Sequence, residues 1–290
     1  MQRRDFIQLS SLGFLGLYSC GISNFKNHKT TLGIQLYTVR DAIAENPEKT
    51  LERLAHLGFT ELEIYGYNGS FFGKTKHEFQ TILKNTGLKV ISSHHTTGIL
   101  HAEKGTLLED WKQSVADMHE IGVKYMVCSY LFPEERTLEN YRKLPDLLNR
   151  SGETTKHAGI QLAYHNHDFE FEKFDDHQNI YDYILENSSP DLVKMELDLY
   201  WISKAGFDPL VYFEKYPKRF PLWHVKDMKV GSKDFAEIGK GTIDFKRIFE
   251  AGETAGLDYW FLEQDSSDKD MFESILISKK YISENRFFLK

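Results

Sequence analysis

Short apolar runs alternate along this chain with longer segments in which apolar residues recur every three or four positions. The short runs are typical of buried parallel strands, and the longer segments are typical of amphipathic helices. Eight strands are predicted: Leu32–Tyr37, Leu62–Tyr65, Lys89–His95, Tyr125–Cys128, Ile160–His165, Val193–Asp198, Leu222–Lys226 and Tyr259–Glu263. Since a helical segment follows each strand, the pattern predicts an α/β fold, a single (β/α)8 TIM barrel.

The residues at the ends of the helical segments support this order of elements. Pro47 lies just inside the first predicted helix and Gly58 just after it, as is typical of helix starts and ends. The other helices are predicted at His77–Asn85, Leu108–Ile121, a long segment that ends near Gly159, Ile180–Glu186, Leu210–Tyr216, Phe245–Ala255 and Met271–Ser283. A doubly wound open sheet is the alternative, but it requires a glycine-rich phosphate loop after the first strand, where this chain has none.

The N-terminal residues are typical of a targeting segment and a linker. Arg3 and Arg4 precede a short apolar region, and Leu17–Gly21 resembles the processing site of bacterial lipoproteins, with Cys20 as the lipid-bearing residue. We predict an export signal at residues 1–20, a polar tether at 21–30 and the barrel at 31–290. The protein would then be periplasmic, or anchored to the membrane through Cys20. A frayed amphipathic helix on a cytoplasmic protein is the alternative.

The composition argues against a nucleic-acid partner, a disulfide-rich fold and a membrane-spanning helix. The 290 residues carry a formal net charge of −7 and no run rich in lysine or arginine, which argues against a nucleic-acid partner. Two cysteines are too few for a disulfide scaffold. No stretch reaches the roughly 18 consecutive apolar residues that a membrane-spanning helix needs.

Four consecutive predicted strands end in side chains that can bind a metal. His165, Asp198, His224 and Glu263 lie at the ends of the last four strands, each about one strand–helix unit after the previous one. Because the active sites of such barrels lie at the carboxyl ends of the strands, these side chains should meet at one rim. Two imidazoles and two carboxylates suit one Mn²⁺, Co²⁺, Zn²⁺ or Fe²⁺ ion better than Ca²⁺ or Mg²⁺. For each residue alone a structural role is the alternative, such as an Asp that caps a helix.

Several motifs resemble the xylose isomerase-like barrel superfamily of sugar isomerases, epimerases and dehydratases. They are Leu-Glu-Ile-Tyr at 62–65, His-Asn-His at 165–167, Leu-Asp at 197–198, His-Val-Lys-Asp at 224–227, the Gly-Lys-Gly-Thr-Ile-Asp loop at 239–244 and Leu-Glu at 262–263. The resemblance implies a small-molecule carbohydrate substrate and a divalent metal ion. It also implies an acid/base role for Glu263, and the ligands that it implies are His165, Asp198, His224 and Glu263.

One motif departs from the family pattern. Where ketose 3-epimerases of this family have Glu-Asn-His, this chain has His-Asn-His at 165–167, so only one of their two opposed acid/base carboxylates is kept, Glu263. A metal-bound neutral imidazole cannot act as the missing carboxylate base. The candidates for a second proton carrier are His95, His167 and Glu63. The arrangement is closer to that of family members acting on 3-keto sugars and 3-keto glycosides.

Other residues at the same rim are candidates for contact with the substrate. Lys226 lies two residues beyond His224, on the same face of the strand, and is a candidate to stabilise an oxyanion. A salt bridge with Asp198 or Glu196 is the alternative for Lys226. Aromatic rings pack well against the C–H faces of a sugar. The candidate substrate-binding residues are Glu63, Tyr37, Trp201 and Asn166.

The sequence therefore predicts a divalent-metal-dependent isomerase or epimerase that acts on a sugar or keto sugar. It would remove a proton α to a carbonyl group through an enediolate, with Glu263 as acid/base and His95 or His167 as the second carrier. A 3-keto-glycoside lyase or hydratase of the same fold is the first alternative. A phosphodiester nuclease would need a basic groove, which the negative net charge argues against. A non-catalytic sugar-binding lipoprotein would be expected to have lost ligands that this chain retains.

Overall fold

Eight parallel strands close into a barrel in the computed structural model, which describes residues 31–176 and 178–289. In chain order the strands are β1 Gly33–Gln35, β2 Glu61–Ile64, β3 Lys89–Thr96, β4 Tyr125–Tyr130, β5 Gln161–His165, β6 Val193–Asp198, β7 Leu222–Val225, β8 Asp227–Met228, β9 Phe235–Ala236 and β10 Tyr259–Leu262. β8 and β9 form a separate antiparallel ribbon, and β10 closes the barrel onto β1. The predicted (β/α)8 TIM barrel is confirmed. The export signal and tether predicted for residues 1–30 lie outside the described residues and stay predictions.

Helices follow the barrel strands and pack around them. They are α1 Arg40–Glu45, α2 Pro47–His56, α3 Lys76–Thr86, α4 Trp111–Ile121, α5 Leu138–His157, α6 Ile180–Asn187, α7 Leu199–Lys204, α8 Pro209–Lys215, α9 Phe245–Glu250, α10 Gly252–Ala255 and α11 Met271–Glu284. The helix predicted from Leu108 begins only at Trp111, because the Leu108 N–H bonds back to the Thr97 carbonyl just beyond β3. The helix predicted over 245–255 is broken at Ala251 into α9 and α10.

Local sequence signals explain where the helices begin and end. At the start of α2 the Asn46 side chain accepts the Lys49 N–H, and a proline occupies the first turn. α3 begins with a capping box formed by Thr75 and Glu78. It ends at Gly87, whose φ of 73° lies in the left-handed region that favours glycine. Such signals stop each helix where the chain must turn back into the next parallel strand.

The inside of the barrel is apolar at its base and polar near the carboxyl ends of the strands. Phe261 can point inward because its neighbour on β1 is Gly33: a Cβ on Gly33 would lie 2.7 Å from the Phe261 ring. Since alternate residues of a strand share a face, the next inward positions carry the ionisable residues of the site. The apolar base is formed by Ile91, Val127, Ala163, Leu222 and Phe261.

The main hydrophobic core lies between the barrel and the helices. Trp223 of β7 stacks on Phe213 of α8, with ring centroids 5.1 Å apart. Cys128 of β4 is a buried free thiol, as expected for a cysteine that acts as a small hydrophobe. Within the part of the chain that the structure describes, no helix combines the length and apolarity needed to cross a bilayer.

Candidate metal centre

Four side chains from four neighbouring barrel strands converge at the carboxyl end of the barrel. His165 and Asp198 are the last residues of β5 and β6, His224 lies on β7, and Glu263 directly follows β10. All four are buried. The pairing of β6 with β7 sets Asp198 beside His224. The structure thus brings together the four residues that were candidate metal ligands from the sequence.

The candidate ligand atoms are spaced much as a tetrahedral site requires. His165 Nε2 lies 3.1 Å from His224 Nδ1 and 3.4 Å from Asp198 Oδ2. His224 Nδ1 lies 3.6 Å from Asp198 Oδ2 and 2.6 Å from Glu263 Oε2. Ligands about 2.1 Å from a tetrahedrally coordinated ion are about 3.4 Å apart. The first three distances match this spacing and the last is shorter, so the set fits a divalent ion.

One carboxylate oxygen each of Asp198 and Glu263 faces this centre. Asp198 Oδ2 and Glu263 Oε2 are buried, and the Lys226 ammonium lies beside both, at 3.0 and 2.7 Å. Asp198 Oδ1 instead accepts the N–H groups of Tyr200 and Trp201 at the start of α7, each at 2.9 Å. Asp198 therefore caps a helix with one oxygen and leaves the other for a cation. Buried carboxylates need a neutralising partner, and a divalent ion would share this role with Lys226.

His165 presents the nitrogen that coordination requires. Its Nδ1–H donates to the Ser129 carbonyl at 3.2 Å, which leaves the Nε2 lone pair directed at the centre. Burial, together with the neighbouring His224, lowers the pKa of His165, so its imidazole is neutral at pH 7. Neutral imidazole is the form that binds a metal ion.

Lys226 places a positive charge beside the same centre. Its Nζ lies 2.7 Å from Glu263 Oε2 and 3.0 Å from both Asp198 Oδ2 and Asp265 Oδ2. Burial lowers the pKa of Lys226, but the three carboxylates outweigh it and hold that pKa well above its usual value. The salt bridge with Asp198, the alternative role of Lys226, is present. Sequence reasoning missed Asp265, although its position two residues after Glu263 was a usable signal.

A cavity of about 900 Å³ opens onto the centre. This volume is in the range of small-molecule binding sites. Among the residues singled out from the sequence, its wall includes His95, His165, His167, Lys226, Tyr37, Trp201 and Glu263. Much of the wall is aromatic: Tyr37, Tyr65, Tyr130, Phe132, Phe169, Trp201 and Phe235. The cavity can therefore hold a polar ligand against aromatic rings.

The two histidines considered as proton carriers have different surroundings. His167 stacks on Phe169 at an interplanar angle of 12°, and its Nδ1 has no hydrogen-bond partner among the described residues. His95 donates through Nδ1 to the Gly105 carbonyl at 2.7 Å and packs edge-on against Trp111. Burial lowers the pKa of His95 to about 4 and that of His167 well below its usual value. Both rings are therefore neutral at pH 7.

Two residues considered as substrate contacts lie away from the cavity wall. Asn166 is buried, and its Oδ1 accepts the Asp198 N–H at 3.0 Å, so it braces the end of β6. Glu63 is buried beneath the centre, where its Oε1 lies 2.5 Å from His224 Nε2. The expectation of direct substrate contact is corrected for both, because each side chain supports a candidate ligand instead.

A second cluster of ionisable residues lies deeper in the barrel. Glu63, His94, Glu196 and His224 place ligand-type atoms within 4.8 Å of one another. His94 Nε2 lies 2.7 Å from Glu196 Oε2 and 3.1 Å from Glu63 Oε1. From the sequence His94 was only a residue at a strand end, and Glu196 only a possible partner of Lys226. The usable signal was strand alternation, which puts Glu196 on the same face as Asp198.

The glycine-containing loop at 239–244 is held by Asp227. The N–H groups of Gly239 and Gly241 donate to Asp227 Oδ2, each at 2.9 Å, and the Ile243 N–H donates to Oδ1 at 3.1 Å. A Cβ on Gly241 would lie 2.3 Å from Asp227 Oδ1, so this close approach requires glycine. Asp227 therefore anchors the 239–244 loop beside β8.

Comparison with known proteins gives the same fold. The sequence profile described as xylose isomerase-like TIM barrel matches residues 51–280. The chain belongs to this family. A sugar phosphate isomerase/epimerase from Parabacteroides distasonis ATCC 8503 is 30% identical and has a TM-score of 0.78, over 92% of this chain and 97% of that chain. The resemblance indicated by the sequence motifs is confirmed.

One further relative and one further solved structure extend the comparison. The inosose dehydratase of Geobacillus thermodenitrificans (strain NG80-2) is 26% identical over 300 residues, covering 90% of this chain and 98% of that protein. The 3-keto-D-glucoside 4-epimerase YcjR from E. coli is 18% identical with a TM-score of 0.66, over 88% of this chain and 100% of that chain, which shows the shared fold alone. The chain is a sugar-modifying enzyme rather than the non-catalytic binding protein considered above.

Proposed function

We propose that this enzyme removes a proton α to the carbonyl group of a sugar or keto sugar, with a divalent metal ion at the centre. The observation that carries the proposal is the set of two imidazoles and two carboxylates, of which His165 and Glu263 line the cavity. The Lys226 ammonium lies beside this set. Proton removal next to a carbonyl creates negative charge on oxygen, which a divalent ion held by this set and the Lys226 ammonium would stabilise.

His165, Asp198, His224 and Glu263 would hold the ion, and their nitrogen and oxygen atoms suit Mn²⁺, Co²⁺, Zn²⁺ or Fe²⁺. When bound, the ion supplies a Lewis acid that stabilises the charge developing on the substrate's carbonyl oxygen. Lys226 adds a second positive charge at the cavity wall, and its burial strengthens its effect because water screens it less.

Glu263 is positioned to take the α-proton. It lies on the cavity wall and is ionised, because Lys226 and His224 outweigh the effect of burial and lower its pKa. An ionised carboxylate within reach of the substrate acts as a general base. The C–H bond breaks, Glu263 takes the proton, and the electron pair delocalises into an enediolate.

His167 is the better placed of the two candidate second carriers. Its ring centroid lies 4.8 Å from that of His165 and 5.3 Å from that of Trp201, so it adjoins the centre. Its neutral ring and unpartnered Nδ1 allow it to exchange a proton with the substrate. His95 instead packs against Trp111 and has no ring contact with a candidate ligand among the described contacts.

Dehydration is a second candidate outcome, favoured by the single acid/base carboxylate. The enediolate can take a proton back on carbon, which gives an epimer or isomer. It can also form a C=C bond while the β C–O bond breaks, and the departing hydroxyl then takes up a proton and leaves as water. The inosose dehydratases among the curated relatives support this outcome, since their name denotes removal of water from a cyclic ketone.

The proposal is tested by following solvent deuterium into candidate substrates. The full-length protein, loaded with Mn²⁺, Co²⁺ or Zn²⁺, is incubated in D₂O with keto sugars, 3-keto glycosides and inosose, and ¹H NMR records the α-proton signals. We expect loss of these signals with at least one ketone, and no loss with Glu263→Gln. Appearance of an unsaturated ketone would identify dehydration. Equal exchange in both proteins, or none with any ketone in a protein that binds its metal, would reject the proposal.

A further inference from the structure

A buried polar layer made of Gln35, Glu63, His94 and Glu196 lies beneath the metal centre. Gln35, Glu63 and Glu196 are fully buried, and the His94 side chain is 11% exposed. Branched apolar side chains usually fill the interior of such barrels. The proposed reaction uses none of these four residues directly, so the layer calls for a different explanation.

His224 connects this layer to the metal centre through its two ring nitrogens. Nε2 lies 2.5 Å from Glu63 Oε1, whereas Nδ1 faces the centre, 2.6 Å from Glu263 Oε2 and 3.1 Å from His165 Nε2. A neutral imidazole carries one N–H, so only its other nitrogen can coordinate a metal ion. When Nε2–H donates to Glu63, the Nδ1 lone pair is presented to the centre.

Glu63 is itself held in place by converging donors. Gln35 Nε2 donates to Glu63 Oε1 at 2.7 Å, and Gln35 Oε1 accepts the Tyr37 N–H at 3.0 Å, which sets the orientation of the amide. His94 Nε2 lies 3.1 Å from the same carboxylate oxygen. Glu196 Oε2 is 3.4 Å from His224 Nε2, beyond the usual length of a hydrogen bond. Glu63 is therefore the acceptor that orients His224.

A second metal ion in this layer is the competing explanation, because four ligand-type groups lie close together. The arrangement of donors argues against it. The Gln35 amide and the His224 ring both point a hydrogen at Glu63 Oε1, an oxygen that such an ion would need. His224 would also have to lose both ring protons to serve two ions. The layer is better explained as a set of hydrogen-bonded groups.

We propose that Glu63 is a positioning residue that holds the Nε2–H of His224, so that Nδ1 can coordinate the metal ion. Gln35 and His94 keep Glu63 in position. The proposal rests on the metal centre of the proposed function. A carboxylate that accepts the second N–H of a ligating histidine fixes its orientation and raises its basicity, and its loss lowers metal affinity about 10- to 100-fold.

The test compares the Zn²⁺ affinity of full-length variants, measured by competition with a chromophoric chelator. Glu63→Gln removes the charged acceptor at nearly constant volume and should raise the Kd about 10- to 100-fold. Glu63→Asp keeps the charge but withdraws the carboxylate from Nε2, and should also weaken binding. Glu196→Gln is the matched control: it removes the same charge from the same layer and should leave the Kd within about threefold of wild type.

Co²⁺ absorption spectra and unfolding of the metal-free proteins separate altered coordination from loss of fold. If Glu63→Gln does not fold, Glu63→Asp carries the comparison. Equal loss of affinity in Glu63→Gln and Glu196→Gln, or wild-type affinity in both Glu63 variants, would overturn the positioning role while leaving the proposed function intact. Two Zn²⁺ ions per wild-type chain, the second lost in His94→Ala, would replace it with a second metal site. No metal binding by wild type would reject the proposed function and this inference together.

Discussion

The Lys226 ammonium nitrogen lies 2.7 Å from Glu263 Oε2, the same carboxylate oxygen that lies 2.6 Å from His224 Nδ1. Lys226 is also 3.0 Å from Asp198 Oδ2. Both oxygens belong to candidate metal ligands. The lysine and a bound ion would therefore neutralise the same buried carboxylates, which couples protein stability to metal binding.

Lys226→Met should make the protein more dependent on metal. Without the ammonium group, Asp198, Glu263 and Asp265 lose their shared cation, and breaking a buried ion pair of this kind costs on the order of 3–5 kcal/mol. A bound divalent ion would neutralise part of this charge. Thermal unfolding with a chelator and with Zn²⁺ should show a larger metal-induced rise in Tm for the variant than for wild type.

The control for this substitution is Lys229→Met. Lys229 is a partly exposed lysine that pairs with Asp268 at 2.9 Å, away from the candidate ligands. Its replacement should leave the metal-induced rise in Tm at the wild-type value. The same rise in all three proteins would show that Lys226 and the metal ion do not share their carboxylates.

Asp198→Asn should separate the two roles of this side chain. The amide oxygen can still accept the N–H groups of Tyr200 and Trp201, so α7 stays capped, but the carboxylate ligand is lost. Zn²⁺ affinity should fall by more than about 100-fold, which exceeds the effect of losing a residue that only orients a ligand. Asp198→Ala should lose affinity equally and cost about 1 kcal/mol more in unfolding free energy, because it also removes the cap. Equal stability of the two metal-free variants in urea unfolding would contradict the capping role.

His167→Phe should slow turnover without reducing metal content. The substitution keeps an aromatic ring against Phe169 but removes the nitrogen that exchanges a proton, and loss of general acid–base catalysis costs about 10²- to 10⁴-fold in kcat. Deuterium exchange rates and metal analysis of the same samples provide the measurement. His101→Phe is the control, since His101 is an exposed histidine on the same cavity that contacts Phe132. Equal rates in the two variants would exclude His167 as a carrier.

A fall in pH should destabilise the fold, because the folded protein disfavours protonation of His95. Burial lowers its pKa from 6.5 to about 4, so the unfolded chain binds a proton more readily than the folded protein. The contribution of neutral His95 to the free energy of unfolding is present above pH 6.5 and is lost as the pH falls towards 4. Between pH 7 and pH 5 the loss should be about 2 kcal/mol. Urea unfolding at both pH values should show this loss in wild type relative to His95→Gln, and parallel pH profiles would contradict it.

Much of the fold was predictable because buried parallel strands have a clear sequence pattern. The predicted strand Val193–Asp198 coincides with β6, and the long helix predicted to end near Gly159 corresponds to α5. The structure differs from the predicted elements where non-local hydrogen bonds compete with helix formation. One example is the Leu108 N–H, which bonds back to the Thr97 carbonyl. The helix propensity of the residues near Leu108 does not reveal such a contact, because the hydrogen-bond partner lies at the end of the preceding strand.

The sequence by itself determined the fold, the rim on which the site lies and the chemical types of its candidate ligands. These follow from strand periodicity and from the shared direction of parallel strands. The tertiary structure decided what each atom contacts. It directs Asn166 to the backbone of β6, divides the two oxygens of Asp198 between a helix and the centre, and pairs Glu63 with His224, 161 positions away. Such contacts cross the barrel, so they depend on the register and closure of all the strands together, which no local pattern contains.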